Sequence, residues 1–83
     1  VTGKVQGVFF RKHACRAAEE HGLTGYVFNL PDGSVQVMAS GSDSVISLMI
    51  DWCRSGSPGS VVTGVEVQDI PFQEFSGFTI RYP

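Results

Sequence analysis

Positive charge is scarce in this 83-residue chain, where six Lys and Arg stand against eight Asp and Glu for a net charge of −2. No basic run occurs, which excludes a general nucleic-acid or membrane-surface role. No apolar run approaches the length of a membrane span, and no secretory signal is legible. The two cysteines, Cys15 and Cys53, lack the spacing of metal ligands, and no carboxylate pair suggests a metal site or a glycosidase. Both cysteines fall in predicted helices, so reduced thiols in a cytoplasmic protein are expected, with a Cys15–Cys53 disulfide left open. There is no internal repeat, linker or low-complexity stretch, and the length supports a single small domain over residues 1–83.

Hydrophobic residues make up 42% of the chain and nine aromatics are among them, enough for a modest ordered core. The distribution of charge says more than its sum. Lys4, Arg11, Lys12 and Arg16 place four cations and no acid in residues 1–18, whereas residues 19–83 carry two cations and eight acids. A local positive patch on an otherwise acidic chain suits a small anionic ligand.

That patch begins with Val1-Thr2-Gly3-Lys4-Val5-Gln6-Gly7-Val8-Phe9-Phe10-Arg11. Gly3 and Gly7 bracket a short loop whose backbone is free to take positive φ or to approach a ligand closely. Successive N–H groups in such a turn, continued by the free N–H groups of a helix start, make an anion-binding concavity. Arg11 adds a planar fork of donors matched to two phosphate oxygens. An arginine there also opposes the helix dipole, which a bound anion would explain. On spacing alone, a tight strand-to-helix turn followed by a solvated arginine accounts for the run equally well.

The pattern predicts a helix over Phe10–His21, with Phe10, Ala14, Ala17, Ala18 and His21 on one face and Gly22 as its stop. Strands are expected over Gly25–Leu30 and Val35–Ser40, joined as a hairpin by Pro31-Asp32-Gly33-Ser34. A second helix, capped by Ser42 and ended by Gly56 and Pro58, carries the stripe Val45, Leu48, Met49, Trp52 and Cys53. Its Met and Trp suit the core better than a ligand box. An alternating strand follows over Val61–Asp69. A loop through Pro71 and Gly77 leads to a last strand, Phe78–Tyr82. With the short opening strand, this order predicts an α+β, ferredoxin-like split βαβ (βαββαβ) sandwich. It would have one mostly antiparallel sheet, both helices on one face and a short terminal strand.

The opening run resembles the signature of the acylphosphatase family, with Gly3, Val5-Gln6-Gly7-Val8, Phe10 and Arg11 at matching positions. It is not a Walker-type P-loop, since no Gly-Lys-Ser/Thr follows Gly7. A second family motif is matched by Gly25-Tyr26-Val27-Phe28-Asn29, then Gly33, Val35 and Gly41. The resemblance spans essentially the whole chain. In the family a strand of several residues precedes the loop, whereas only Val1 and Thr2 precede it here, so a first strand truncated at the N-terminus is expected. Phe28 is a departure, at a position the family usually fills with a polar or basic residue. Being next to Asn29 on a strand, it is expected on the opposite face and away from the chemistry.

The resemblance implies hydrolysis of the carboxyl–phosphate anhydride of a small acyl phosphate, releasing a carboxylate and inorganic phosphate. It implies that Gly3, Lys4, Val5, Gln6, Gly7 and Val8, with Arg11, bind the phosphoryl group while Asn29 positions the attacking water. Phosphoryl transfer through a loose transition state needs mainly positioning and electrostatics, and the leaving group is already a stable carboxylate. No metal or cofactor is therefore expected, nor a nucleic-acid or membrane partner, and the enzyme is expected to be a monomer. His13 and His21 match no motif position and receive no catalytic role. The alternative is a non-enzymatic or slow anion-binding regulatory domain, as in the amino-terminal domain of hydrogenase maturation proteins. An RNA-recognition module shares the element order, but Val35-Gln36-Val37-Met38-Ala39 lacks the stacking aromatics and basic residues it needs.

Overall fold

Phe10, Ala14, Ala17 and Ala18 are all buried, and the helix they belong to, α1 (Phe10–Glu20), is the first regular element large enough to seed a core. The structure, a computed structural model, describes residues 1–71 and 73–82. Before α1 comes β1 (Thr2–Lys4). After it follow β2 (Thr24–Asn29), β3 (Val35–Ser40), α2 (Asp43–Ser55), β4 (Val61–Gly64) and β5 (Phe78–Arg81). The fold is the ferredoxin-like α+β arrangement that the element order predicts.

The strands do not form one continuous ladder, as expected, but two. β3-β2-β5 form one, and β1-β4 the other. Reciprocal backbone bonds between Val1 and Val35, of 2.8 and 2.9 Å, join them, giving the lateral order β4-β1-β3-β2-β5. The join is a single residue pair because β1 is so short. The same shortness ends β4 at Gly64 instead of Asp69, since β1 offers partners only to Val61, Val62 and Gly64. The terminal strand β5 runs parallel to β2, whereas β2–β3 and β1–β4 are antiparallel. Phe72, within the loop expected through Pro71 and Gly77, lies outside the described residues, as does Pro83.

α1 packs on β2 and β5, α2 on β4, and the two helices touch through Phe10 and Trp52, whose ring centroids are 5.2 Å apart. Val5, Leu23, Val27, Val35, Met49, Cys53 and Phe78 complete the buried core. Each large side chain fully buried there contributes about 1.5–3 kcal/mol. Two face assignments differ from expectation. His21 is exposed beyond the end of α1, where its N–H bonds back to Ala17 and Ala18, because Gly22 at φ 69° turns the chain away. Leu48 is half exposed, and Ile46 packs against the core in its place.

The hairpin turn is tied by Asp32, whose carboxylate accepts from the Ser34 N–H and hydroxyl at 2.9 and 2.6 Å. Those bonds hold its carboxyl below the usual range. Gly25, at φ 142°, lies so close to the Met38 carbonyl that a Cβ would overlap it. Among the described residues no helix is long and apolar enough to cross a membrane.

Candidate active site

Two buried side chains hold the loop between β1 and α1 like pegs: Val5 at its start and Phe10 at its end, each 1% exposed. Between them the backbone takes positive φ at Gly7 (75°) and at Phe9 (57°). Glycine accepts this without strain, but for an aromatic residue the left-handed region costs about 1–2 kcal/mol. Phe9 is the N-cap of α1 and makes no side-chain cap bond, so the first helical bond is His13 N–H to the Phe9 carbonyl. Among the described residues, the N–H groups of residues 7–12 find no acceptor in the protein. A run of unpaired donors beside positive-φ residues at a helix start has the form of an anion cradle.

Two contacts from distant parts of the chain shape this loop. Gln6 donates its side-chain amide to the carbonyl oxygens of Leu30 and Ser34, both at 2.9 Å. Ser57, buried just after α2, donates its hydroxyl to the Val8 carbonyl at 3.4 Å.

Arg11, in the first turn of α1, is half-buried. Its Nη1 reaches the Arg81 carbonyl at 3.4 Å, and its guanidinium carbon sits 4.7 Å from the centroid of the Tyr82 ring. The other donors of the fork have no acceptor among the described residues. A guanidinium steadied on an aromatic face keeps its charge and loses little further freedom on binding an anion. Asn29 ends β2. Its Oδ1 is the buried side-chain polar atom that lacks a hydrogen-bond partner among the described residues. An orphaned buried acceptor costs free energy and calls for a ligand or water to complete it.

Val5, Gln6, Gly7, Arg11 and Asn29 all line one cleft of about 370 Å³, together with Phe9, Lys12, Ile80 and Tyr82. Gly3, Lys4 and Val8 are not in that lining. Gly3 and Lys4 belong to β1, where a Cβ on Gly3 would overlap the Val61 carbonyl. The need for glycine there is thus explained by strand approach rather than by a ligand. Phe28 stacks on Tyr26 at 5.7 Å, on the strand face opposite Val27 and Asn29, as alternation predicts. A larger opening, about 1210 Å³, lies between β3, α2 and residues 64–71, but acids and no Lys or Arg line it. It is electrostatically unsuited to phosphate.

Sequence reasoning missed Ser57, Tyr82 and the true partner of the Gln6 side chain. Nothing in local spacing marks them, since each acts across a long chain separation. Among the described residues no group of three or more His, Cys, Asp or Glu gathers to hold a metal. Cys15 and Cys53 are both free thiols. Burial pushes each up to about 11, with the Glu19 carboxylate adding to the effect at Cys15.

A cradle of free amides, a steadied arginine and an orphaned asparagine amide thus share one cleft. The Acylphosphatase family profile matches residues 1–80. The chain belongs to the acylphosphatase family. An acylphosphatase of Shewanella amazonensis is 54% identical over 69 residues, covering 83% of this chain and 76% of that protein. The structure of an acylphosphatase from Coxiella burnetii superposes with a TM-score of 0.94 at 41% identity, covering 98% of this chain and 85% of that one. The acylphosphatase of Bacillus subtilis gives the same TM-score at 35% identity, over 99% and 92% of the two chains. Family membership makes the chain a hydrolase, and the cleft holding Arg11 and Asn29 is the candidate site for its acylphosphatase chemistry.

Proposed function

We propose that the chain hydrolyses acyl phosphates at the cleft between the β1–α1 loop and the end of β2. The phosphoryl oxygens rest on the N–H groups that follow Gln6 and on the Arg11 fork, while the Asn29 amide orients a water at phosphorus. The water oxygen forms the new P–O bond as the bond to the acyl oxygen breaks. The carboxylate departs with the electron pair, and the water's proton passes to a phosphate oxygen. Charge spread over three phosphoryl oxygens is met by fixed dipoles and one guanidinium, so neither a metal nor a strong base is needed.

The observation that carries this reading is the meeting of Arg11, the unpaired loop amides and the unpartnered Asn29 Oδ1 in one lining. All of these groups come from one chain, which suits a monomer, and two free thiols suit a reducing, cytoplasmic setting. Steady-state hydrolysis of benzoyl phosphate, with phenyl phosphate as the ester control, tests the activity. Turnover of the anhydride that survives exhaustive chelation and is inhibited competitively by inorganic phosphate is expected. Equal turnover of the ester, or activity restored only by a divalent ion, would refute it.

A further inference from the structure

Phe9 and Tyr82 are the most exposed large apolar side chains among the described residues, at 75% and 73%. Every other described aromatic is buried or half-buried. Two rings left in water would be unremarkable if scattered, but both border the same cleft, the one that holds Arg11 and Asn29. Tyr82 lies against the Arg11 guanidinium, which fixes its ring beside the charge that would receive a phosphoryl group. Phe9 is held by the backbone itself, in the left-handed region where an aromatic residue is strained. The loop keeps this strain although the Phe9 ring contributes little to the core. An outlier of this kind points to function when it borders a site.

A phosphoryl group seated on the loop amides and Arg11 must direct its acyl substituent outward past the rim of the cleft. There the substituent meets the Phe9 and Tyr82 rings. We propose that Phe9, with Tyr82, forms an aromatic platform for the acyl group, so that the enzyme favours acyl phosphates with a planar, apolar acyl moiety over small aliphatic ones. This rests on the acyl phosphate reading above and adds the substrate class to it. Flat rings stacked at an open rim gain affinity through contact area without displacing the phosphate contacts.

Non-hydrolysable ketophosphonates separate the two ideas. Calorimetric titration would compare phenacylphosphonate, the isostere of benzoyl phosphate, with acetonylphosphonate, the isostere of acetyl phosphate. Wild type is expected to bind the aromatic ligand about tenfold more tightly. Phe9→Gly, which accepts the left-handed backbone, removes the ring and brings no side-chain acceptor to the free loop amides, should narrow that gap by about three- to tenfold. Affinities for acetonylphosphonate and for inorganic phosphate should stay within about twofold, and Phe9→Tyr should restore discrimination. In kinetics the Phe9→Gly variant should raise KM for benzoyl phosphate more than KM for acetyl phosphate. Equal wild-type affinities, or a uniform loss across all three ligands in Phe9→Gly, would overturn the platform. Discrimination between the phosphonates without hydrolysis of either acyl phosphate would uphold the platform and sink the enzymatic reading instead.

Discussion

The side-chain amide of Gln6 lies 2.9 Å from the carbonyl oxygen of Leu30, the residue that follows Asn29. One bond therefore ties the loop carrying the free amides to the strand end carrying the orphaned asparagine. A second, to Ser34, extends the tie across the hairpin turn. The two halves of the cleft are thus tied together by the side chain of one residue, Gln6.

Gln6→Leu should expose that role. The Leu30 and Ser34 carbonyls each keep another partner, the Gly33 and Leu30 N–H groups, so the stability lost should be at the low end, about 1 kcal/mol. Urea unfolding measures it. Turnover of an acyl phosphate should fall more than inorganic phosphate affinity, because the loop keeps its donors while Asn29 drifts relative to it. Equal losses in both would show that Gln6 acts on the cradle itself.

Arg11→Lys should weaken phosphate binding and turnover together, by about a hundredfold in kcat/KM, because an ammonium cannot reproduce the fork or its seat on Tyr82. Competitive inhibition by inorganic phosphate reports the binding part. Retention of either property near wild type would remove Arg11 from the phosphate site.

Asn29→Ala is expected to separate function from stability. Its Oδ1 makes no hydrogen bond among the described residues, so the fold loses none there and thermal stability should hold or rise. The rate constant kcat should drop by about a hundredfold, close to 3 kcal/mol of transition-state stabilisation, while phosphate affinity stays near wild type. A variant with normal turnover would end the water-orienting assignment.

Phe9→Gly should stabilise the protein. Relief of the left-handed strain, about 1–2 kcal/mol, outweighs the extra freedom glycine brings to the unfolded chain, about 0.5–1 kcal/mol. A higher urea midpoint is the expected result. A lower one would mean that the Phe9 ring packs more tightly than its exposure indicates.

Alkaline pH should weaken the fold through the two thiols. Their folded values lie above the ordinary 9.0, at about 11. Below pH 9.0 both are protonated in either state and their contribution is complete. As pH rises towards 11 the unfolded chain releases its thiol protons first, so stability falls across that window. Urea midpoints followed through it should decline in wild type and decline less in the Cys15→Ala, Cys53→Ala double variant. Parallel slopes would assign the effect to other groups.

Local pattern was enough to determine a good deal of this protein. A 3.6-residue period put Phe10, Ala14, Ala17 and Ala18 on the buried face of α1, and turn chemistry at Pro31-Asp32-Gly33-Ser34 paired β2 with β3. The spacing of Gly7, Arg11 and Asn29 within two motifs marked the residues that the fold brings into one cleft. Periodicity works at that range because a helix or strand fixes where each side chain points relative to its neighbours. It carries no information about a partner far along the chain. The contacts from Gln6 to Ser34, 28 residues on, and from Ser57 to Val8, 49 residues back, were decided by packing alone. So were the ring of Tyr82 under Arg11, the parallel seat of β5 beside β2 and the early end of β4, whose neighbour β1 is too short to extend it. Tertiary structure also chose between equivalent apolar positions on α2, covering Ile46 and leaving Leu48 half in water, because only contact with the rest of the core distinguishes them.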